Sequence, residues 1–125
     1  MVACFFTNKN YFMNSANTLL GNEIEWEDVS EGVRRQIMGY DEKIMTVKVE
    51  FQAGAIGNLH AHPHSQTTYV ASGTYRFDIN SEIKTVKAGD GLYIAPNVIH
   101  GVICLKSGIL IDSFSPVRED FLKQQ

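Results

Sequence analysis

From residue 44 to residue 114 the chain is written in short runs of β-branched and aromatic residues, each soon stopped by Gly, Asn, Asp or Pro. Seven such runs, at 44–51, 67–71, 74–79, 83–86, 92–95, 98–105 and 109–114, leave no uninterrupted window for a helix of ordinary length. The first run alternates: Met45, Val47, Val49 and Phe51 share one face, while Lys48 and Glu50 share the other. Gly73 separates two runs as a bulge or bend, Asn80-Ser81 forms a tight turn, and 52–58 reads as a turn around Gly54 and Gly57. Upstream, Trp26, Val29, Val33 and Ile37 fit strand, turn and strand better than a helix. Many short strands must pair without leaving long open edges, which favours two antiparallel sheets rolled around a pocket. The expectation is an all-β jelly-roll barrel over 23–125, preceded by a short arm at 1–22 and ending in one helical turn within 116–122.

At 125 residues there is material for one core and one domain. A net charge of −3 with no basic run argues against a nucleic-acid partner. No apolar stretch is long enough to cross a membrane as a helix, and residues 1–6 lack the features of a secretory signal. Cys4 and Cys104 are too few for a disulfide framework, so free thiols and a cytoplasmic location are expected. Met13 is a second candidate start, and the residues before it fit neither a helix stripe nor a strand.

The histidines fall in two places: His60, His62 and His64 together, and His100 alone. On a strand, His60 and His62 point to the same face, and antiparallel pairing can bring His100 beside them. Gln66 follows four residues after His62, where the chain re-enters a strand. An isolated His-x-His is more often a surface or core pair than a metal site. Three imidazoles with one oxygen donor, however, suit one borderline divalent ion such as Zn, Ni, Fe, Co or Mn. His64 follows Pro63, which should break the strand there and leave His64 at the rim.

Spacing decides between the two readings. Gly54, five residues, His60-x-His62, three residues, Gln66, six residues and Gly73 resemble the first motif of the cupins, with Gln in a slot usually held by Glu. Gly89, ten residues and His100 match the length of the second motif, and fifteen residues separate Gly73 from Gly89, as in compact bacterial cupins. Pro96 lies one residue nearer His100 than the usual pattern, and Cys104 replaces the motif's terminal Asn. The resemblance implies a double-stranded β-helix whose metal is held by His60, His62, Gln66 and His100. Four neutral ligands would leave the ion's charge uncompensated, favouring anionic oxygens and a developing enolate.

A second constellation follows the last strand. Leu110, Asp112 and Phe114 share a face by period two, setting a carboxylate among apolar neighbours, where it costs several kcal/mol unless paired or used. Burial would raise its pKa and a nearby cation would lower it. Arg118, just past Pro116, can fold back over the barrel mouth and grip a carboxylate two-handed. The plainer alternative is a structural Asp112–Arg118 pair.

Trp26-Glu27, Gly32-Val33-x-Arg35-x-Ile37-Met38-Gly39, Gly54-Ala55-Ile56-Gly57, Ala88-Gly89-Asp90, His100-Gly101-Val102 and above all Asp112-Ser113-Phe114-Ser115-Pro116-x-Arg118-x-Asp120-Phe121-Leu122 resemble the KdgF-type cupins of pectin and alginate breakdown. The resemblance spans residues 26–122. It implies a metal-dependent, isomerase-like enzyme that converts 4,5-unsaturated monouronates to linear 5-keto-4-deoxyuronates, with Asp112, Phe114 and Arg118 around a small acidic sugar. Two rivals remain open from the residues: an Fe(II)-dependent cupin dioxygenase, and a cupin that binds uronates or metal without turnover. Cupins of this size commonly pair through exchanged edge strands, so a homodimer using 11–24 is expected.

Overall fold

The computed structural model describes residues 14–122; the early residues, Met13 and Cys4 lie outside the described residues. Ten strands follow in order: β1 (Glu27–Ser30), β2 (Val33–Tyr40), β3 (Met45–Phe51), β4 (Ile56–His60), β5 (Ser65–Val70), β6 (Thr74–Ile79), β7 (Glu82–Lys87), β8 (Gly91–Ile94), β9 (His100–Lys106) and β10 (Gly108–Ser115). All pairings are antiparallel, in a six-stranded sheet ordered β1-β2-β3-β10-β5-β8 and a four-stranded sheet ordered β4-β9-β6-β7. The all-β jelly-roll expectation holds. Short 3-10 turns at Gly21–Glu23 and Glu119–Phe121 are the helical content among the described residues. None is long and apolar enough to cross a membrane.

The alternation read for residues 44–51 is the one that folds: Met45, Val47 and Phe51 are buried, while Lys48 and Glu50 are not. The strand–turn–strand read around Trp26–Ile37 becomes β1 and β2. Asn80 and Ser81, both at positive φ (52° and 71°), form the two-residue turn of the β6–β7 hairpin, whose twist suits right-handed strands. Gly73, at φ +90°, passes so near the β9–β10 turn that a Cβ would lie 2.6 Å from the Lys106 carbonyl oxygen. One expectation is corrected. The stretch 52–58 is not all turn, because β4 begins at Ile56 and pairs with β9, Ile56 opposite Ile103 and His60 opposite His100.

Two apolar clusters form the core, one between the sheets and one between the larger sheet and the C-terminal segment. One gathers Val33, Phe51, Val70, Tyr75, Phe77 and Leu110, with the Cys104 thiol free and buried among them. The other gathers Met45, Val47, Phe114 and Val117, with Phe121 and Leu122 against it. The described part of the N-terminal arm is fastened to its own β2. Gln36 Nε2 donates to the carbonyls of Gly21 and Ile24 (both 2.7 Å), and Ser15 N donates to Tyr40 O at 2.8 Å.

Candidate metal centre and adjoining cavity

Three cross-strand pairs on facing sheets build the site. In the smaller sheet His60 of β4 stands opposite His100 of β9. In the larger sheet Gln66 of β5 stands opposite Phe114 of β10, and two residues on Thr68 stands opposite Asp112. His62 lies beyond the end of β4, in the connection to β5, so its approach to His60 is set by the loop and not by strand parity. The three imidazoles nevertheless converge: ring centroids of His60 and His100 are 4.4 Å apart, and those of His62 and His100 are 5.0 Å apart. One nitrogen from each lies within 4.8 Å of the others, and among the described residues this is the group of histidine, cysteine or acidic side chains that could hold a metal ion.

The donor chemistry fits a divalent ion. Nδ1 of His60 lies 2.8 Å from Asn58 O, and Nδ1 of His100 lies 2.9 Å from Val98 O. A carbonyl only accepts, so both Nδ1 atoms carry the proton and both Nε2 lone pairs are left for a ligand. Nε2 of His62 lies 2.9 Å from Oε1 of Gln66, which brings an amide oxygen into the cluster. Two donors each about 2.1 Å from one ion at right angles stand roughly 3 Å apart, so this pair fits a shared ion. Nδ1 of His62 is buried with no hydrogen-bond partner, so Nε2 is the nitrogen of this ring that faces the cluster. Burial, then the Arg118 charge, pulls the His62 pKa down to about 4, and burial lowers that of His100. Both rings are therefore neutral at physiological pH, the state in which imidazole binds metal.

A cavity of about 410 Å³ opens beside the cluster, lined on its polar side by His60, Gln66, His100, Asp112, Arg118 and Arg35. Asp112 shows some surface to this cavity but is otherwise enclosed by protein. Burial raises its pKa to about 6, against the opposing pull of the Thr68 hydroxyl, the Arg118 charge and the Gln66 amide. Without a bound ion, enclosure therefore outweighs the Arg118 charge. Asp112 and Arg118 form no structural pair. Asp112 Oδ1 accepts from Thr68 Oγ1 at 2.7 Å, while Arg118 grips Asp120 through Nε (3.1 Å) and Nη2 (2.9 Å). The Arg118 guanidinium also lies 5.0 Å from the centroid of Phe114 and 4.2 Å from that of Phe121.

His64 is half-buried and does not line the cavity. Its ring turns inward, 5.4 Å from that of His62 and 6.4 Å from that of Phe114, and burial lowers its pKa. β4 ends at His60, before Pro63 is reached, and His64 lies in the connection to β5. Three further residues escaped sequence reasoning. Thr68 has the parity of Gln66 and faces Asp112, a signal that needed only the β5–β10 register. Arg35 and Phe121 are far apart in sequence, yet the Arg35 guanidinium lies 3.8 Å from the Phe121 centroid. Phe121 therefore packs against two arginines, a contact that no local pattern encodes.

Residues 47–111 match the Cupin domain family. The chain is 41% identical over 105 residues to the pectin degradation protein KdgF of Dickeya dadantii (strain 3937), covering 82% of this chain and 96% of that one. Among solved structures, an RmlC-like cupin from Shewanella frigidimarina NCIMB 400 superposes with a TM-score of 0.86 at 43% identity, over 88% of this chain and 99% of that one. KdgF from Halomonas sp. superposes with a TM-score of 0.83 at 32% identity, over 86% and 100%. With its two-sheet barrel, its three-histidine cluster and these relatives, the chain belongs to the cupin family and, within it, to the KdgF-type cupins.

Proposed function

We propose that this protein is a metal-dependent isomerase of uronate metabolism, which opens 4,5-unsaturated monouronates released from pectin or alginate and delivers linear 5-keto-4-deoxyuronates. The observation that carries the reading is an enclosed carboxyl, Asp112, in one cavity with Arg118 and with His60 and His100 of the three-histidine cluster. The 41% identity to a pectin degradation protein supports the same substrate class.

His60, His62, Gln66 and His100 are the residues that would hold the ion, which when bound supplies Lewis acidity toward an oxygen that gains negative charge. The remaining roles fall to side chains. Arg118 is suited to grip the C6 carboxylate, held between Phe114 and Phe121 with little freedom to lose on binding. Opening the hemiacetal breaks the C1–O5 bond: the C1 hydroxyl gives up its proton, C1 becomes an aldehyde, and O5 leaves as the enol oxygen at C5. Transfer of a proton to C4 then turns the C4–C5 enol into a ketone. The net change is an isomerisation with no oxidant or reductant. Asp112 is the proton carrier in this scheme: it is enclosed beside the cluster, and its burial raises its pKa toward neutrality, so that it can accept and release a proton, for roughly 10²–10⁴-fold in rate. Phe114 closes the apolar wall beside it.

The test is to incubate purified protein with freshly made 4,5-unsaturated galacturonate and follow loss of the enol-ether absorbance. Decay faster than the spontaneous reaction, abolished by Asp112→Ala and by His60→Ala, is the expected result. Decay no faster than the blank would remove the uronate assignment, and oxygen uptake during turnover would point to a dioxygenase instead. We also expect a homodimer, for which light scattering at the monomer mass is the contrary result.

A further inference from the structure

Thr68 sits between the candidate metal centre and the candidate acid–base group and touches both. It is 2% exposed, and its hydroxyl lies 3.0 Å from Gln66 Nε2 and 2.7 Å from Asp112 Oδ1. A hydroxyl has one proton to give and two lone pairs, whereas an amide NH₂ can only donate. The Gln66 amide therefore gives a hydrogen to Thr68, and the single Thr68 proton goes to Asp112. With Nε2 so engaged, Oε1 is the end of the amide that faces His62, at 2.9 Å. Turned the other way, the amide would aim its NH₂ at the histidines and offer no lone pair to an ion.

We propose that Thr68 is a positioning residue: its hydroxyl fixes the sense of the Gln66 amide, so that an oxygen faces the metal site, and ties that choice to Asp112. The proposal rests on the metal-centre reading given above. Its register origin is plain, since Gln66 and Thr68 are two apart on β5 and Thr68 is the direct cross-strand partner of Asp112 on β10. The hydroxyl, and not the bulk of the side chain, is what the proposal requires. A valine here would take the shared hydroxyl from both a buried amide N–H and Asp112 Oδ1, leaving only the weaker direct pull between the Gln66 amide and Asp112 to hold the sense of the amide.

The experiment compares Thr68→Val with Thr68→Ser, reading Co(II) affinity and the visible absorption of the Co(II)-loaded protein. Thr68→Val is expected to weaken Co(II) at least tenfold and to alter the spectrum, while Thr68→Ser stays within about twofold of wild type with its spectrum kept. Should the valine variant not fold, Thr68→Ala against Thr68→Ser gives the same contrast. Wild-type affinity and spectrum in the variant lacking the hydroxyl would overturn the proposal. So would equal losses in both variants, because then packing of the methyl group is what matters. Failure of the wild-type protein to bind Co(II) would instead remove the metal-centre reading itself. The Co(II) contrast makes no use of the sugar, so it supports Thr68 as a positioning residue even if uronate turnover is absent.

Discussion

Replacing Asp112 by Asn should make the metal-free protein more stable while removing its activity. A carboxyl that titrates near 6 in the fold and near 3.8 in the unfolded chain is easier to ionise once the protein has opened. A difference of about two in pKa, at about 1.4 kcal/mol each, means that the ionised Asp112 costs the fold about 3 kcal/mol at pH 8. The sign follows from the raised value. The contribution of Asp112 to stability is fully present below pH 3.8 and is lost as pH rises through 6, so the penalty is about half developed at pH 5 and nearly complete at pH 8. Asn carries no charge at any of these pH values, and its Oδ1 can still accept from Thr68.

Urea unfolding of chelator-treated wild type and Asp112→Asn at pH 5 and pH 8 measures this directly. Asn should lead by roughly 1.5 kcal/mol at pH 5 and by up to about 3 kcal/mol at pH 8, since cavity water would soften the upper figure. Adding Co(II) should narrow the gap, because a nearby divalent ion favours the carboxylate. Equal stabilities at both pH values, or an Asn variant that is weaker at pH 8, would refute the claim that enclosure governs this group. A stabilised but inactive variant would mark Asp112 as a residue that function keeps against stability.

Other substitutions test the remaining parts. His100→Ala should abolish Co(II) binding, and with it the stabilisation of about 2.7 kcal/mol that wild type gains at metal 100-fold above its Kd, read by thermal unfolding with and without the ion. Arg118→Lys should raise KM for the unsaturated uronate at least tenfold with a smaller change in kcat, because an ammonium gives neither the two-handed grip nor the stacking on Phe114 and Phe121. Gly73→Ala should cost about 2–4 kcal/mol in urea unfolding, since the new Cβ meets the Lys106 carbonyl at 2.6 Å and sits at φ +90°. Gly89→Ala is the control: φ is +97° but nothing lies within 4 Å, so only about 1–2 kcal/mol of backbone strain is expected.

Much of the barrel was legible because short strands carry their own signals. Alternation named the buried face of residues 45–51, and Asn80-Ser81 named its hairpin. The strand around Ile56 was not, since Gly54 and Gly57 look like turn residues and β4 owes its existence to pairing with β9. The histidine spacing located the cluster, yet His62 lies past the end of its strand, where strand parity does not set the direction of the ring. Side-chain partners were the least legible. Asp112 and Arg118 looked like a pair from sequence proximity, but the 3-10 turn at Glu119–Phe121 hands Arg118 to Asp120, while register hands Asp112 to Thr68.

That division of partners is what makes the site usable. Had Arg118 closed on Asp112, the carboxyl would be held as an ion and the guanidinium would be spent inside the barrel. Instead Arg118 is tied to a half-exposed carboxylate and steadied by two aromatic rings, while Asp112 keeps one hydroxyl partner and a raised pKa. The arrangement depends on register twice over. A one-residue slip of β5 against β10 would turn Gln66 and Thr68 to the outer face, and a slip of β4 against β9 would part His60 from His100. Both ladders continue into apolar positions, Val70 opposite Leu110 in one and Ile56 opposite Ile103 in the other, and Val70 and Leu110 are buried. In the larger sheet, the burial that fixes the register of the core therefore also fixes the spacing of the polar groups that do the chemistry.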